Sequence, residues 1–332
     1  MSASPAEVDL GTRWLSVATW RRLFRERPLV PLSALLVGLV VMLEVAQPGI
    51  VNPNWLAVTL RAAVPLAILA ACQTLAMLTG GIDLSVGMVA SMAAYIVATQ
   101  STGQGDAVAI VIALVAAAIV GLANGIGVGI FRVHPLIMTL GMTLVVLGLL
   151  NVYQLANVQG GVRLPAIIVE LGSGTIGGIL PMNLLVFAPI AIVIILGLRR
   201  SGFGRLLFAV GDNPVAARLS GVRAWQVLIA LYVLSALLAG IAGFLVAGLT
   251  KTASLSLVEQ SVLPSVAAAV IGGTSIMGGR GGYSGTIVGA LILTVLTTLL
   301  VVLGAPEAIR QILFGAMIVA VAAAYARVTS ES

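Results

Sequence analysis

The sequence predicts an all-α membrane protein of about ten transmembrane helices, some paired across glycine breaks, with both termini cytoplasmic. Three observations carry this. The 332 residues are 60% hydrophobic and 8% charged, where a soluble domain carries about 25% charged residues, and the mean hydropathy is +1.16. The apolar residues fall in repeated runs of about 20, the length that crosses a bilayer as a helix. The runs are continuous rather than alternating, which excludes barrel strands and leaves helices as the structure that satisfies backbone groups in lipid. Finally, most of the 17 Lys+Arg cluster in two places, the N-terminal stretch (Arg13, Arg21, Arg22, Arg25, Arg27) and a loop at 199–224 (Arg199, Arg200, Arg205, Arg218, Arg223). Lys and Arg favour the cytoplasmic side.

The first segment, 1–29, is cytoplasmic by this reading. Trp14 and Trp20 beside its arginines suit a helix lying at the inner surface, and no short apolar core precedes a small-residue cleavage site. The membrane domain occupies 30–326 and a cytoplasmic tail 327–332. Its spans are placed at roughly 30–46, 57–79, 84–100, 107–130, 135–156, 183–198, 225–249, 262–279, 284–303 and 307–326. Residues 157–182 and 250–261 are then outside. Glu44, near the outer end of the first span, reads as a carboxylate reaching the interface. The net charge of +6 follows from topology rather than from nucleic-acid binding. Cys72 is the one cysteine, so no internal disulfide forms, and the one histidine, His134, has no metal partners at ligand spacing.

Four phrases stand out from the apolar background. The first is GGIDLSVG at 80–87. Gly80 and Gly81 break the second span, and Asp83, with Ser85 nearby, is placed to cap the third. A charged cap at this depth requires a surrounding of protein or water; a tight turn between spans is the plainer use. The second phrase, FRVHPLIMTLG at 131–141, opens the fifth span on Pro135. Just before it, Gly121, Gly125 and Gly129 recur every four residues, a spacing that lets helix backbones approach closely, and Asn124 is placed to bond across helices.

The third phrase is GRLLFAVGDNPVAARLSGV at 204–222. Asn213 is a good N-cap and Pro214 suits the first helical position. Val215 to Ser220 then make under two turns, about 10 Å, and Gly221 ends them in the left-handed conformation. So short a helix is unstable alone; membrane ends or a docking partner must hold it. An ordinary connecting loop is the alternative. The fourth phrase is the glycine stretch at 271–289, where Gly272, Gly273, Gly278 and Gly279 precede Arg280. Glycine pairs here mean a second broken helix pair and close backbone approach, an echo of the break at Gly80.

The four phrases, in this order, resemble the permease family of ABC importers for ribose, xylose, arabinose, galactose and related small molecules. Leu136 and Ile137 depart conservatively from the family's second phrase; Thr139, Leu140 and Gly141 match it. The resemblance implies a bacterial cytoplasmic (inner) membrane protein that is a transport subunit rather than an enzyme. It implies three partners: an ABC ATPase with two nucleotide-binding domains, a second permease chain in a homodimer or paired heterodimer, and an extracytoplasmic solute-binding protein that docks on the outer side, where the long loop 157–182 reads by itself as an ordinary solvated loop with room for a short surface helix. It further implies that the helix in the 199–224 loop couples the permease to the ATPase through Gly211, Asn213, Pro214, Val215, Ala216, Ala217, Arg218, Leu219 and Gly221. The apolar residues would supply the contact, and Arg218 would pair at the rim.

This chain lacks the phosphate-binding pattern of its own: Lys251 is followed by Thr252, but Leu245 and Thr250 stand where glycines are required. No cofactor is therefore expected in this chain, with ATP and Mg on the partner. The alternative is a self-sufficient, ion-coupled secondary transporter, for which Asp83 is the candidate ionisable group. A membrane enzyme has no supporting cluster of acid, base or nucleophile. Gln73, Thr74, Asn151 and Gln154 either line a polar substrate path or bond between helices, the commoner use of such residues. The permease sequence does not discriminate one sugar from another.

Overall fold

A computed structural model describes residues 29–156, 162–316 and 319. The interfacial helix expected within 1–29 and the tail 327–332 lie almost wholly or wholly outside the described residues, as does the second half of the last expected span. Twelve helices can be named in order: α1 (Leu29–Ala46), α2 (Pro53–Leu78), α3 (Val86–Gln104), α4 (Asp106–Gly129), α5 (Pro135–Ala156), α6 (Ala166–Ser173), α7 (Leu184–Arg200), α8 (Gly202–Asp212), α9 (Pro214–Leu219), α10 (Ala224–Thr250), α11 (Val262–Ile271) and α12 (Tyr283–Val302). Residues 307–316 are also helical. Six of these helices, α1, α2, α4, α5, α10 and α12, are long and apolar enough to cross a membrane. The chain is a multi-pass all-α membrane protein.

The 27-residue α10 is the hub. It packs along α4 and against α2, α3 and α6. The glycine face of α4 makes the closest of these contacts. A Cβ on Gly121 would fall 2.5 Å from Tyr232 O, one on Gly125 2.6 Å from Ile229 Cα, and one on Gly129 3.0 Å from Trp225 O. Backbones this close exclude any larger residue, and without a hydrophobic drive between helices in lipid such van der Waals contact is what joins them. On the other flank α12 packs against α1, α2 and α11.

The ends of the elements follow local chemistry. Asn52 caps α2 by accepting from Trp55 N–H. Glu44, at the far end of α1, accepts from Gly49 N–H at 2.6 Å and Val51 N–H at 3.0 Å, so its carboxylate ties down the turn that follows. Between α5 and α7, α6 tucks Ile168 and Gly172 against α10. A two-stranded hairpin follows, β1 (Thr175–Ile176) on β2 (Leu180–Pro181). Its three-residue turn, 177–179, uses Gly177 and Gly178, both at positive φ, backbone that glycine adopts without strain.

Two expected elements differ. The loop at 199–224 carries a further helix, α8, bent 66° from α7. Ser201 starts it by accepting from Gly204 N–H, and Leu207 and Val210 bury its inner face. The expected span 262–279 is helical only to Ile271; beyond it the chain turns through Gly273, Gly278, Gly279 and Gly281, all at positive φ. The segment before α11 also departs from a free outer loop, since Val258 is buried against α3.

Candidate functional site

The four phrases read from the sequence meet in space. The break after α2, the start of α5, the end of α8 and the turn after α11 form one glycine junction. A Cβ on Gly211 would lie 1.8 Å from Leu78 O and 2.8 Å from Gly279 N. One on Gly278 would lie 2.8 Å from Gly211 O and 3.0 Å from Gly80 N, and one on Gly279 2.9 Å from Asp212 Cα. Gly279 N–H donates to Leu78 O at 3.0 Å, joining the two breaks directly. Gly81 abuts Pro135, where a Cβ would meet Pro135 Cβ at 2.9 Å. The end of α8 is thus in backbone contact with both broken helix pairs, and no side chain intervenes to absorb a displacement. Close-packed contacts of this kind transmit strain.

Beneath the junction lies a buried polar network centred on Asp83. One carboxylate oxygen accepts from Ser85 N–H at 3.0 Å and Ser85 Oγ at 2.6 Å; the other accepts from Ser235 Oγ at 3.0 Å on α10. Gln73 reads the backbone of the same residue, donating Nε2–H to Asp83 O at 2.8 Å and accepting Asp83 N–H at 3.2 Å. Asn124 donates to Ser85 Oγ at 2.9 Å, the bond across helices expected of it. Thr139, from the second phrase, accepts Leu84 N–H and donates to Ile82 O. The break therefore has backbone groups satisfied by side chains from α2 and α5, as irregular backbone buried among membrane helices must, while Asn124 of α4 and Ser235 of α10 bond its side chains.

At the start of α3 the Asp83 carboxylate thus accepts the Ser85 amide in the turn leading into the helix, and through Ser235 it also fastens that turn to α10. Gln73 and Thr74 are likewise committed inside the bundle. Thr74 Oγ1 bonds Thr286 Oγ1 at 2.7 Å and Ala70 O at 2.9 Å, and both residues are fully buried. Neither opens onto a path. Asn151 and Gln154 are exposed on the second half of α5, Asn151 donating back to Leu147 O.

The loop's short helix is α9. Asn213 Oδ1 accepts from Val215 N–H at 3.1 Å and Ala216 N–H at 2.9 Å. Gly221 sits at φ +82°, and the bonds Gly221 N–H to Arg218 O and Val222 N–H to Ala217 O close the C-terminus in the manner of a Schellman motif. Val215, Ala216, Arg218 and Leu219 face outward, Leu219 at 85% exposure. Ala217 does not. It is buried in the permease's own core, so the close-packing contact read for it belongs to the fold and not to a partner. Arg218 Nε–H donates to Pro214 O within the helix. The residue contacts of Gly211 were missed by sequence reasoning, although its place two residues before the cap-and-proline signal marked the segment.

Long apolar helices with satisfied internal breaks, and a capped helix projecting from a loop in contact with those breaks, define a multi-pass membrane protein with broken helices in its core. Comparison with known proteins agrees. Residues 55–322 match the family described as branched-chain amino acid transport system / permease component. The chain is 34% identical over 276 residues to the ribose import permease of Escherichia coli K12, covering 82% of this chain and 85% of that one. It is 31% identical over 297 residues to the fructose import permease of Rhizobium meliloti, covering 87% and 82%. With an autoinducer 2 import permease of Photorhabdus laumondii it shares 28% over 294 residues, covering 87% and 88%. No solved structure matches. The chain belongs to the ABC importer permease family, with the sugar import permeases.

Proposed function

We propose that this chain is the membrane-spanning subunit of an ATP-driven importer for a sugar or similar small polar molecule, working in the bacterial inner membrane. Substrate is delivered by an extracytoplasmic binding protein that docks on the side of α6 and the hairpin. Energy comes from a separate ATPase with two nucleotide-binding domains, which holds ATP and Mg; this chain has no ATPase site of its own. A second permease chain completes the assembly. Ten spans with both termini cytoplasmic remain the topology proposed, with α7 and α8 as one bent segment and α11 as a half-span.

The observation that supports this reading is the position of α9. It is held at both ends, presents Val215 and Leu219 outward, and follows directly on α8, whose last turn touches both glycine breaks. A partner seated on α9 is thereby one rigid element away from the two helix pairs that would have to move.

The test is reconstitution. The chain, co-expressed with a candidate ATPase and binding protein, should take up labelled D-ribose or D-fructose into proteoliposomes only with ATP and both partners. Uptake by the chain alone on a proton or sodium gradient would replace this reading with a secondary transporter.

A further inference from the structure

We infer that residues 254–261, which connect the outer end of α10 to α11, form a polyol-recognition surface in the middle of the translocation path, with Glu259 and Gln260 as its principal groups; this rests on the importer reading above.

The first observation is depth. Val258 N–H donates to Ser91 Oγ at 2.9 Å, and a Cβ on Gly87 would lie 3.2 Å from Glu259 Cα and 2.3 Å from Val262 Cγ2. The segment therefore lies against the first two turns of α3. Ser85, just before α3, is level with Asn124 of α4, about 8 Å short of α4's end at Gly129, and Ser91 is about 9 Å further along. Val258 is thus near the midpoint of the 24-residue α4. The opposite flank gives the same height. Gly289 of α12 abuts Ala268 and Gly285 abuts Gly272, so α11 runs antiparallel to α12. Val262 then lies about 18 Å above the start of α12, a helix about 30 Å long.

The second observation is what stands at that depth. Apart from the single turn Glu259–Ser261, residues 251–261 are irregular. Ala253, Leu255 and Leu257 turn toward the core, while Ser254, Ser256, Glu259 and Gln260 alternate with them and are exposed. Among the described residues the Glu259 and Gln260 side chains have no hydrogen-bond or ion-pair partner. Irregular backbone at membrane depth is tolerated only inside protein or beside a water-filled cavity, and an exposed carboxylate facing hydrocarbon is costly. Water is the surrounding that fits both.

The third observation is chemistry. A carboxylate accepts two hydroxyl hydrogen bonds with charge assistance, a primary amide donates and accepts, and the serine hydroxyls do either. That set matches a neutral molecule bearing several adjacent hydroxyls, and its negative charge disfavours anions. The half-helix α11 runs from this surface to the glycine junction through Gly272, so displacement at α9 reaches the groups that hold the solute.

Single-cysteine variants Ser256→Cys, Glu259→Cys and Gln260→Cys in a Cys72→Ala background test the placement, in the assembled transporter in membranes. A charged, membrane-impermeant methanethiosulfonate should label all three and leave Val37→Cys, on the exposed apolar face of α1, unlabelled. Uptake of D-ribose and D-fructose by Glu259→Gln and Gln260→Leu should fall about tenfold or more, since a site built to bond hydroxyls discriminates by its unpaired groups, while the amount of assembled complex in the membrane stays at the wild-type level. Absence of labelling, meaning lipid or a second chain covers the segment, overturns the inference. So does labelling with uptake of both sugars unchanged in both variants. If the wild-type complex transports neither sugar, the sugar reading itself falls, and the labelling arm still decides whether the segment faces water.

Discussion

Gly211 shows how tightly one residue is constrained. Its missing Cβ leaves Leu78 O and Gly279 N in place at distances no side chain permits. Gly211→Ala must push the end of α8 off both breaks, and overpacking of this kind costs about 1–3 kcal/mol. Gly197, on α7, has open space around its missing Cβ, so Gly197→Ala should be neutral or stabilise by up to about 1 kcal/mol. Thermal denaturation of the purified permease in detergent separates the two. Equal melting temperatures for Gly211→Ala and Gly197→Ala would disprove the junction. At Asp83 the hydrogen bonds decide. Asp83→Asn keeps one oxygen for Ser85 and offers an amide N–H to Ser235, so most uptake should survive. Asp83→Leu strands buried donors at about 1–3 kcal/mol each and should lose folded protein. A folded, stable Asp83→Asn without uptake would instead make the charge itself essential, as ion coupling requires. Asp83 was legible in the sequence as a break-associated carboxylate. Its partner Ser235 was not, because the two lie far apart along the chain and an apolar helix such as α10 gives no signal of which serine faces inward.

At the scale of elements, α9 and α8 make the contrast. Both ends of α9 were readable because Asn213, Pro214 and Gly221 each act on their own neighbours. No helix was read from the sequence at α8, where Gly202, Gly204 and Gly211 stand close together; Gly204 and Gly211 are there for close packing, against Leu198 O and Leu78 O. The burial of Ala217 was likewise invisible, since a helix of under two turns has no periodicity from which to read a face. The corrected face gives a sharp expectation. Leu219→Glu and Val215→Glu should leave permease abundance and melting temperature unchanged, yet reduce ATPase co-purification about tenfold or more, equivalent to about 1.4 kcal/mol or more of binding. Ala217→Glu buries a charge in the permease itself and should lower abundance before any partner is added. The opposite pattern, with Ala217→Glu folded and only its docking impaired, would restore Ala217 to the partner surface.

For the whole molecule, hydropathy gave the fold class because every long helix in lipid must be apolar along its length. It overran at 262–279, since a window cannot separate a full span from a half-helix followed by glycine turns, and the count of spans from an arginine-rich cytoplasmic side placed 250–261 outside. Only the contacts of Val258 and Glu259 with α3 draw that segment inward. Orientation rests on the arginines, and it sets where the exposed Asp212 and Glu170 must lie. Asp212 belongs to the basic loop with Arg205 and Arg218. Glu170 is on α6, which packs at the other end of α10, near Gly248. The two positions are therefore separated by most of the about 40 Å length of α10. In a Cys72→Ala background, an impermeant maleimide added outside intact cells should modify Glu170→Cys and spare Asp212→Cys. Inverted membrane vesicles should give the reverse. Labelling of Asp212→Cys from outside would invert the protein, and with it remove α9 from the compartment where an ATPase could reach it.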